Sequence, residues 1–198
     1  MDKKIILATQ NKGKINEVQQ ILSDYQILSM NEYGIEYDVE EDKDTFKENA
    51  EKKAREIANL LDGKMCMADD SGIEIEYLNG FPGVHTKRWL NGTDRERNLA
   101  ILEKLKDVPK QERKINFITA IALSDGKKTI SVEAIIQGYV AEEPRGENGF
   151  GFDEIFELEN GKTLAELSND EKNQISARKK ALELLKERLK YFSDISKS

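Results

Sequence analysis

The sequence carries its clearest structural signal in one stretch, which reads Lys64-Met65-Cys66-Met67-Ala68-Asp69-Asp70-Ser71-Gly72-Ile73-Glu74-Ile75-Glu76-Tyr77. An apolar run precedes the two aspartates and an alternating segment follows them, so the pattern predicts a buried strand that ends at the acidic pair. Adjacent carboxylates repel each other, and a divalent cation that prefers oxygen ligands, such as Mg²⁺, relieves that repulsion. A surface Asp-Asp-Ser-Gly turn is the alternative, and this stretch alone favours the turn.

Length and composition favour one domain, or one domain with an added lobe, that buries a real core. The sequence has 198 residues, of which 38% are hydrophobic, with 7 Phe, 6 Tyr and 1 Trp. Charged residues make up 35% of the chain, but both signs are mixed, which argues against disorder. The formal net charge of -7 argues against polymeric nucleic acid as a partner and still permits a small anion held by local cations.

Cysteine content and the lack of long apolar runs indicate the cellular setting. Cys66 is the single cysteine, so we expect no internal disulfide, no thiolate metal cluster, and a buried, inert thiol. The first residues lack the apolar stretch of a signal peptide, and no segment approaches the ~20 apolar residues of a membrane span. These features predict a cytoplasmic protein without a membrane partner.

Hydrophobic periodicity predicts strands alternating with helices in the first part of the chain. An apolar run at residues 4–9 predicts a buried strand, and the segment after it has a helical apolar face formed by Ile15, Val18, Ile21 and Leu22. A second helix is predicted over residues 44–61, with a buried stripe that comprises Phe46, Ala50, Ala54, Ile57 and Leu61.

Capping and turn signals predict the later elements. Thr93 and Glu96 form a capping box for a helix that runs to about residue 106, and Ser168 and Glu171 form another. Residues 113–140 predict two long strands joined by the turn Ser124-Asp125-Gly126-Lys127. Together these elements predict an α/β fold in which helices flank a central mixed sheet.

A phosphate site is one interpretation of the segment after the first strand, Thr9-Gln10-Asn11-Lys12-Gly13-Lys14. The start of the following helix offers free backbone N–H groups and the positive end of the helix dipole, and two lysines add charge. The glycine spacing is not that of a Walker A loop. A capped helix start with solvated lysines explains the segment equally well.

Two further segments allow both a functional and a purely structural interpretation. Glu40-Glu41-Asp42 can supply a metal ligand to the aspartate pair, or can simply favour a helix N-terminus. Gly149-Phe150-Gly151-Phe152-Asp153 can stack a planar base on an aromatic ring, or can form a tight turn with core aromatics. Lys53 on the second predicted helix has the pattern of a surface lysine.

Helix geometry constrains the C-terminal segment. On one continuous helix, Lys172 and Arg178 lie about 120° apart around the axis, at ~100° per residue. The two side chains then cannot easily bind the same ligand. If both bind one ligand, the helix must break near Ser176, which then caps the last helix.

Six segments, taken in order, resemble the inosine triphosphate pyrophosphatase family, whose members act on deaminated purine nucleotides. They comprise Leu7-Ala8-Thr9-Gln10-Asn11-Lys12-Gly13-Lys14, Thr45-Phe46-Lys47-Glu48-Asn49-Ala50 with Lys53-Ala54, Ala68-Asp69-Asp70-Ser71-Gly72, Gly80-Phe81-Pro82-Gly83-Val84, Gly149-Phe150-Gly151-Phe152-Asp153, and Glu171-Lys172-Asn173 with Ile175-Ser176 and Arg178. Their order and spacing, over residues 5 to about 185, make the resemblance specific.

The resemblance implies one domain over residues 1–198, with two lobes and an intervening nucleotide cleft, and a homodimer. It implies Mg²⁺-dependent hydrolysis of ITP, dITP or XTP to the monophosphate and pyrophosphate. Asp70 is implied as the general base and, with Glu40, as a metal ligand, and Arg178 is implied to face the purine 6-oxo group. The other implied substrate contacts are Thr9, Gln10, Asn11, Lys12, Gly13, Lys14, Lys53, Ser71, Lys87, Phe150, Gly151, Phe152, Asp153 and Lys172.

The chain departs from this family at Ala177, where relatives commonly carry a histidine that frames the base. The departure implies looser base selectivity, although Arg178 can still donate to a 6-oxo oxygen, which adenine lacks. Two other functions stay open: a pyrophosphatase for another modified nucleotide, such as a pyrimidine, and a non-catalytic nucleotide-binding protein on the same scaffold. A purely structural protein leaves the six motifs unexplained.

Overall fold

A computed structural model describes residues 4–9, 12–36 and 38–195, so Gln10 and Asn11 lie outside the described residues. The strands are β1 (Lys4–Leu7), β2 (Gln26–Ser29), β3 (Cys66–Ile75), β4 (Phe81–Pro82), β5 (Lys114–Ser124), β6 (Thr129–Val140) and β7 (Phe156–Glu157). Their order in the sheet is β2-β1-β3-β5-β6-β7, and β4 pairs with β3. β1 runs parallel to β2 and β3, whereas β4 and β7 run antiparallel to β3 and β6. The predicted α/β class with a central mixed sheet is therefore confirmed.

The helices are α1 (Lys12–Ile21), α2 (Phe46–Leu60), α3 (Asp94–Lys104), α4 (Asn169–Ile175) and α5 (Ala177–Ile195). Both apolar faces predicted for the first two helices are confirmed, because Val18, Leu22 and the whole α2 stripe are buried. The two long strands predicted over residues 113–140 are confirmed as β5 and β6. Among the helices of the described residues, none combines the length and the apolar character that a membrane crossing requires.

Capping explains where the later helices begin. The Thr93 side chain accepts the Glu96 N–H at 3.2 Å, and Glu96 accepts the Thr93 N–H at 2.7 Å. Ser168 and Glu171 make the same reciprocal pair. Both predicted capping boxes are confirmed.

The predicted break in the C-terminal helix is also confirmed. Ser176 lies between α4 and α5, with a ψ of 126° that no α-helix contains. Lys172 and Arg178 therefore belong to separate helices, which removes the 120° separation that one continuous helix imposes.

β3 corrects the prediction that a strand ends at the two aspartates. It runs without interruption from Cys66 to Ile75, so Asp69 and Asp70 lie inside a strand, and the alternative turn is also wrong. Successive side chains of a strand point to opposite faces, so the adjacent carboxylates diverge and the strand can continue through both. At its start, Cys66 is buried as expected, and this burial raises the pKa of its thiol to about 12.

The chain divides into two compact units, each with its own core. The first takes the described residues within 1–71, 119–134 and 178–198, and the second takes those within 72–118 and 135–177. Ile5, Val18 and Leu185 belong to a core of the first unit, and Ile101 and Phe156 belong to the core of the second. That these units are lobes of one domain stays a prediction.

In the second unit, a buried arginine closes the C-terminal end of α3. Arg113 is 5% exposed, and it donates to the carbonyls of Val108 and Leu105 at 2.7 Å each and of Ala141 at 3.3 Å. The last carbonyls of a helix lack intrahelical partners and carry partial negative charge. The guanidinium satisfies both needs at once, so we expect it to contribute strongly to the stability of this unit.

Arg113→Met should lower the free energy of unfolding by about 2–4 kcal/mol, because it leaves buried carbonyls without their donors. Urea unfolding followed by circular dichroism measures the change. Lys114→Met removes the neighbouring exposed charge and should leave the unfolding midpoint unchanged. Equal, small effects of both substitutions would contradict the capping role of Arg113.

Candidate active site

In the first unit, two cations that the family resemblance implies as contacts to different parts of a nucleotide converge on one carboxylate. Lys14 Nζ lies 2.8 Å from Asp69 Oδ2 and 3.1 Å from Oδ1. Arg178 Nη2 donates to the same Oδ2 at 3.2 Å, and its Nη1 lies 3.6 Å from Glu17 Oε2. All four side chains are partly buried, where charges interact more strongly than in water. We call these residues the Asp69 cluster.

Sheet register and helix starts explain why these side chains meet. β1 pairs in parallel with β3, with Leu7 opposite Met67, so the chain leaves β1 beside the part of β3 that carries Asp69. α1 then begins, with Lys14 in its first turn, and Arg178 is the second residue of α5. Helix starts carry positive partial charge, so each cation adds to a local field that favours an anion.

A second charged group surrounds Lys53 on α2. Its Nζ lies 2.8 Å from Glu41 Oε1, and the two side chains are 17% and 21% exposed. Burial opposes the lysine charge, but the hydrogen bond and charge of Glu41, with contributions from Asp69 and Asp70, raise the pKa of Lys53 above its ordinary value. Lys53 is therefore a mostly buried ammonium among carboxylates, and its interpretation as a surface lysine is wrong.

Asp70, the predicted general base, is 5% exposed, and its Oδ1 accepts the N–H of Ser71 at 2.9 Å. Glu40, the predicted second metal ligand, is exposed, and its backbone carbonyl accepts Lys52 Nζ at 2.8 Å. Within the described part of the chain, no three His, Cys, Asp or Glu side chains are grouped as a metal site. The metal-binding roles of Asp70 and Glu40 stay predictions.

In the second unit, the loop of residues 149–153 presents an exposed aromatic ring. Phe150 is 78% exposed, whereas Phe152 packs against the core of this unit. Asp153 Oδ2 accepts the Phe150 N–H at 2.8 Å and a further hydrogen bond from Lys172, whose Nζ lies 4.8 Å from the centroid of the Phe150 ring. The stacking interpretation therefore suits Phe150, and the core interpretation applies to Phe152.

The surroundings of position 149 in this loop explain sterically why it is a glycine. Its φ is +86°, and a Cβ at this position would meet the Asp153 carboxylate and lie 3.0 Å from Lys172 Nζ. A side chain here would be strained and would push apart the pair that holds the Phe150 backbone.

The next predicted substrate residues have other surroundings than the Asp69 cluster, the Lys53 group and the 149–153 loop. Thr9 is partly buried, and its carbonyl accepts the Ser29 hydroxyl at 3.0 Å. Lys12 is exposed at the first position of α1, Gly13 follows it, and Lys87 is exposed in the second unit. Of the predicted phosphate segment, the structure thus ties Lys14 to the Asp69 cluster.

Comparison with known proteins establishes the relationship of the chain. The Ham1 family matches residues 5–188. The chain belongs to the Ham1 family. It is 47% identical over 199 residues to a Clostridium perfringens protein named dITP/XTP pyrophosphatase. The alignment covers 95% of this chain and 98% of that protein. The resemblance inferred from the six motifs is therefore confirmed.

Solved Ham1 structures share the fold. A HAM1 protein from Coxiella burnetii is 39% identical with a TM-score of 0.87, over 95% of this chain and 98% of its own. The Staphylococcus aureus Ham1 protein is 37% identical with a TM-score of 0.88, over 94% and 98%. Both cover nearly the whole of this Ham1 chain, so the likeness extends over both compact units.

Ala177 occupies a packed position in this Ham1 protein. It is 1% exposed and is the first residue of α5, directly before Arg178. A histidine at this position requires its neighbours to move, because packed interiors accept added volume poorly. The structure thus packs closely around the small side chain at the position where the resemblance implies a histidine.

Sequence reasoning missed three polar residues of these groups. Glu17 contacts Arg178, and its spacing of three from Lys14 on α1 was the available signal. Asp94 and Asn98 on α3 contact the backbone of Gly151, and their spacing of four places them on one helix face. Such spacings are common on solvated helix faces, so they do not stand out in the sequence.

Asp69→Asn should lower the free energy of unfolding by about 1–3 kcal/mol, because two partly buried cations lose their shared charged acceptor. Thermal and urea unfolding measure the loss. Asp42→Asn is the matched control, since Asp42 also pairs with two lysines but is exposed, and its effect should be clearly smaller. A loss at Asp42 as large as that at Asp69 would argue against the Asp69 cluster as a stabilising feature.

Proposed function

We infer that this chain is a nucleoside-triphosphate pyrophosphatase that hydrolyses ITP, dITP or XTP to the monophosphate and pyrophosphate. The observation that carries the inference is the Asp69 cluster, in which Lys14 of the phosphate segment and Arg178 share one carboxylate. The name of the Clostridium perfringens relative, dITP/XTP pyrophosphatase, supports the same reaction. Membership of the Ham1 family supports it as well.

The phosphate groups are proposed to bind where the first unit concentrates cations. Hydrolysis between the α and β phosphates needs an in-line water and neutralisation of charge, with little covalent help from the protein. Lys14 in the first turn of α1 supplies charge beside a helix start, and the protonated Lys53 supplies a second charge. Thr9, Lys12 and Gly13, with Gln10 and Asn11 outside the described residues, complete the proposed phosphate segment.

Asp70 is proposed to take the proton of the attacking water. Its carboxylate is buried, and the bond from the Ser71 N–H fixes the orientation of Oδ1. A general base must be held within hydrogen-bond reach of the proton that it removes, and a fixed carboxylate meets that need better than a mobile one.

Mg²⁺ is proposed as the cofactor, bound by Asp70 and Glu40, with Glu41 and Asp69 close by. The chemistry of the donor set suits the ion, because carboxylate oxygens are the hard ligands that Mg²⁺ prefers, and the charges of Glu41, Asp69 and Asp70 all act on Lys53. When bound, Mg²⁺ supplies Lewis acidity and orients the phosphates. The protein supplies the carboxylates and keeps the Lys53 ammonium charged between them.

The purine base is proposed to contact Arg178 and the Phe150 ring. The contacts of Arg178 with Asp69 and Glu17 hold its guanidinium, which can donate to the 6-oxo oxygen of hypoxanthine or xanthine. Adenine places an amino group at that position and leaves the donor unmatched, which is a strong basis for discrimination. Phe150 offers an exposed ring for stacking. Lys172 lies near this ring, and Asp153 accepts the N–H of Phe150.

The other predictions from the resemblance and from the composition belong to the same proposal. They are the homodimer, the nucleotide cleft between two lobes of one domain, the cytoplasmic location, and the exclusion of membranes and polymeric nucleic acid as partners. Lys87 is proposed as a further phosphate contact. Size-exclusion chromatography with light scattering tests the homodimer directly.

Asp70→Asn should lower kcat for ITP by about 10²–10⁴-fold while the protein stays folded, because the general base and a metal ligand are lost together. Pyrophosphate release in excess Mg²⁺ measures the rate. Asp42→Asn is the control and should retain wild-type turnover. The wild type should lose activity in EDTA and regain it with added Mg²⁺. Near-normal turnover of Asp70→Asn would remove Asp70 from the mechanism.

A substrate panel should show kcat/KM for ITP and XTP exceeding that for ATP by about 10² or more. Arg178→Lys keeps the charge but loses the planar donors, so the ITP-to-ATP ratio should fall by roughly tenfold. Arg188→Lys is the matched control, because Arg188 also lies on α5 but donates to the Ser131 carbonyl.

Three outcomes of this panel would contradict the proposal. Higher kcat/KM for UTP or dTTP than for ITP and XTP would overturn the purine assignment. Binding of ITP without pyrophosphate release would identify a non-catalytic binding protein. An unchanged ratio in Arg178→Lys would remove Arg178 from base selection.

A further inference from the structure

The peptide groups of the 149–153 loop are held by α3 on both sides of Gly151. The Gly151 N–H donates to Asp94 Oδ2 at 2.8 Å, and the Gly151 carbonyl accepts Asn98 Nδ2 at 2.9 Å. Asn98 is fully buried, and the same Nδ2 donates to Glu154 Oε1 at 2.8 Å. Arg95 Nη1 donates to the other oxygen of Glu154 at 2.8 Å. One face of α3 therefore determines the path of the loop.

This tether bears on the exposed ring, because Gly151 directly follows Phe150. The ring is 78% exposed, so packing against the core does not fix its position. Apart from the Lys172 ammonium over its face, its position depends on the backbone, which is held by Asp153 on the Phe150 N–H and by α3 on the next peptide. Removing the α3 contacts leaves the ring attached to a loop with fewer fixed dihedral angles.

Asp94 is distinguished from an ordinary helix-start acid by its partners. Glu96 in the same turn serves the cap, since it accepts the Thr93 N–H. Asp94 instead reaches Arg97 and the Gly151 N–H, and these two contacts hold the pKa of its carboxyl below the usual range against the effect of burial. The charge of Asp94 is thus kept at the loop, and a charged acceptor makes the stronger hydrogen bond.

We propose that Asp94 and Asn98 are positioning residues that hold Phe150 in place for the purine base, so that α3 contributes to substrate affinity. The proposal rests on the proposed function only in assigning a purine to the Phe150 ring. Neither residue is proposed to touch the substrate. Their effect should therefore appear in KM for the nucleotide and not in the hydrolytic step.

The test compares Asp94→Ala with Glu96→Ala, which both remove an acid from the first turn of α3. Amide hydrogen exchange at Gly151 should become about tenfold faster in Asp94→Ala and stay unchanged in Glu96→Ala. KM for ITP should rise by roughly tenfold in Asp94→Ala with kcat within about threefold of wild type. Asp94→Asn keeps an acceptor for the Gly151 N–H and should recover most of both effects.

Each readout separates a different failure. Unchanged exchange at Gly151 in Asp94→Ala would overturn the tether itself. Faster exchange with an unchanged KM would overturn the positioning role while leaving the proposed function intact. A rise in KM of the same size in Glu96→Ala would assign the effect to helix stability and also overturn the proposal. Absence of ITP turnover in the wild type would overturn the proposed function, whereas the exchange result would still report on the tether.

Discussion

The alternation of side chains along β3 is the constraint on which the charges of the first unit depend. Asp69 and Asp70 are neighbours in sequence, yet a strand directs them to opposite faces. Asp69 can then accept from Lys14 and Arg178, while the buried Asp70 accepts the N–H of Ser71. A turn or a helix at this place would bring the two carboxylates closer together. Asp69 and Asp70 could then not each keep separate partners as they do here.

Charge balance links these contacts to the proposed chemistry. Lys14, Lys53 and Arg178 supply three positive charges, and the carboxylates that face them are Glu17, Glu41, Asp69 and Asp70. With ordinary charges, these groups together carry about one negative charge, which does not favour a triphosphate by itself. The Mg²⁺ of the proposed function would add two positive charges and offset this negative balance. In the proposed function, the lysines and the arginine would then hold phosphate and base in fixed directions, as preorganised catalysis requires.

Features of the fold that depend on contacts within a few residues could be predicted from the sequence. The capping boxes at Thr93 and Ser168 follow from hydrogen bonds within a few residues, whereas the break at Ser176 followed from helix geometry only on the condition that Lys172 and Arg178 bind one ligand. The predicted end of β3 was wrong because pairing with other strands decides where a strand ends. β1 pairs with the first residues of β3 and β4 pairs with its last, so the strand continues through a sequence that favours a turn. The sequence contains no local record of those partners.

Non-local contacts also explain which candidate site residues could not be predicted. Glu41, and not the adjacent Glu40, pairs with Lys53, because the choice depends on how the loop meets α2. Asp94 and Asn98 act on a glycine more than fifty residues away in the sequence. Motif resemblance indicated the segments that are proposed to carry the chemistry, and only the fold identifies the residues that hold those segments in place.

The two phenylalanines of the 149–153 loop show that the exposure of Phe150 is imposed by the fold. Phe152 packs against the core, as an apolar side chain does when its backbone allows it. Phe150 lies between Gly149 and Gly151, both with positive φ, and the N–H groups of Phe150 and Gly151 donate to Asp153 and to Asp94 of α3, which fixes this backbone. Leaving a phenylalanine in water forgoes about 1.5–3 kcal/mol of burial. Stacking of a purine base on this ring, as in the proposed function, would bury part of its surface and offset that cost.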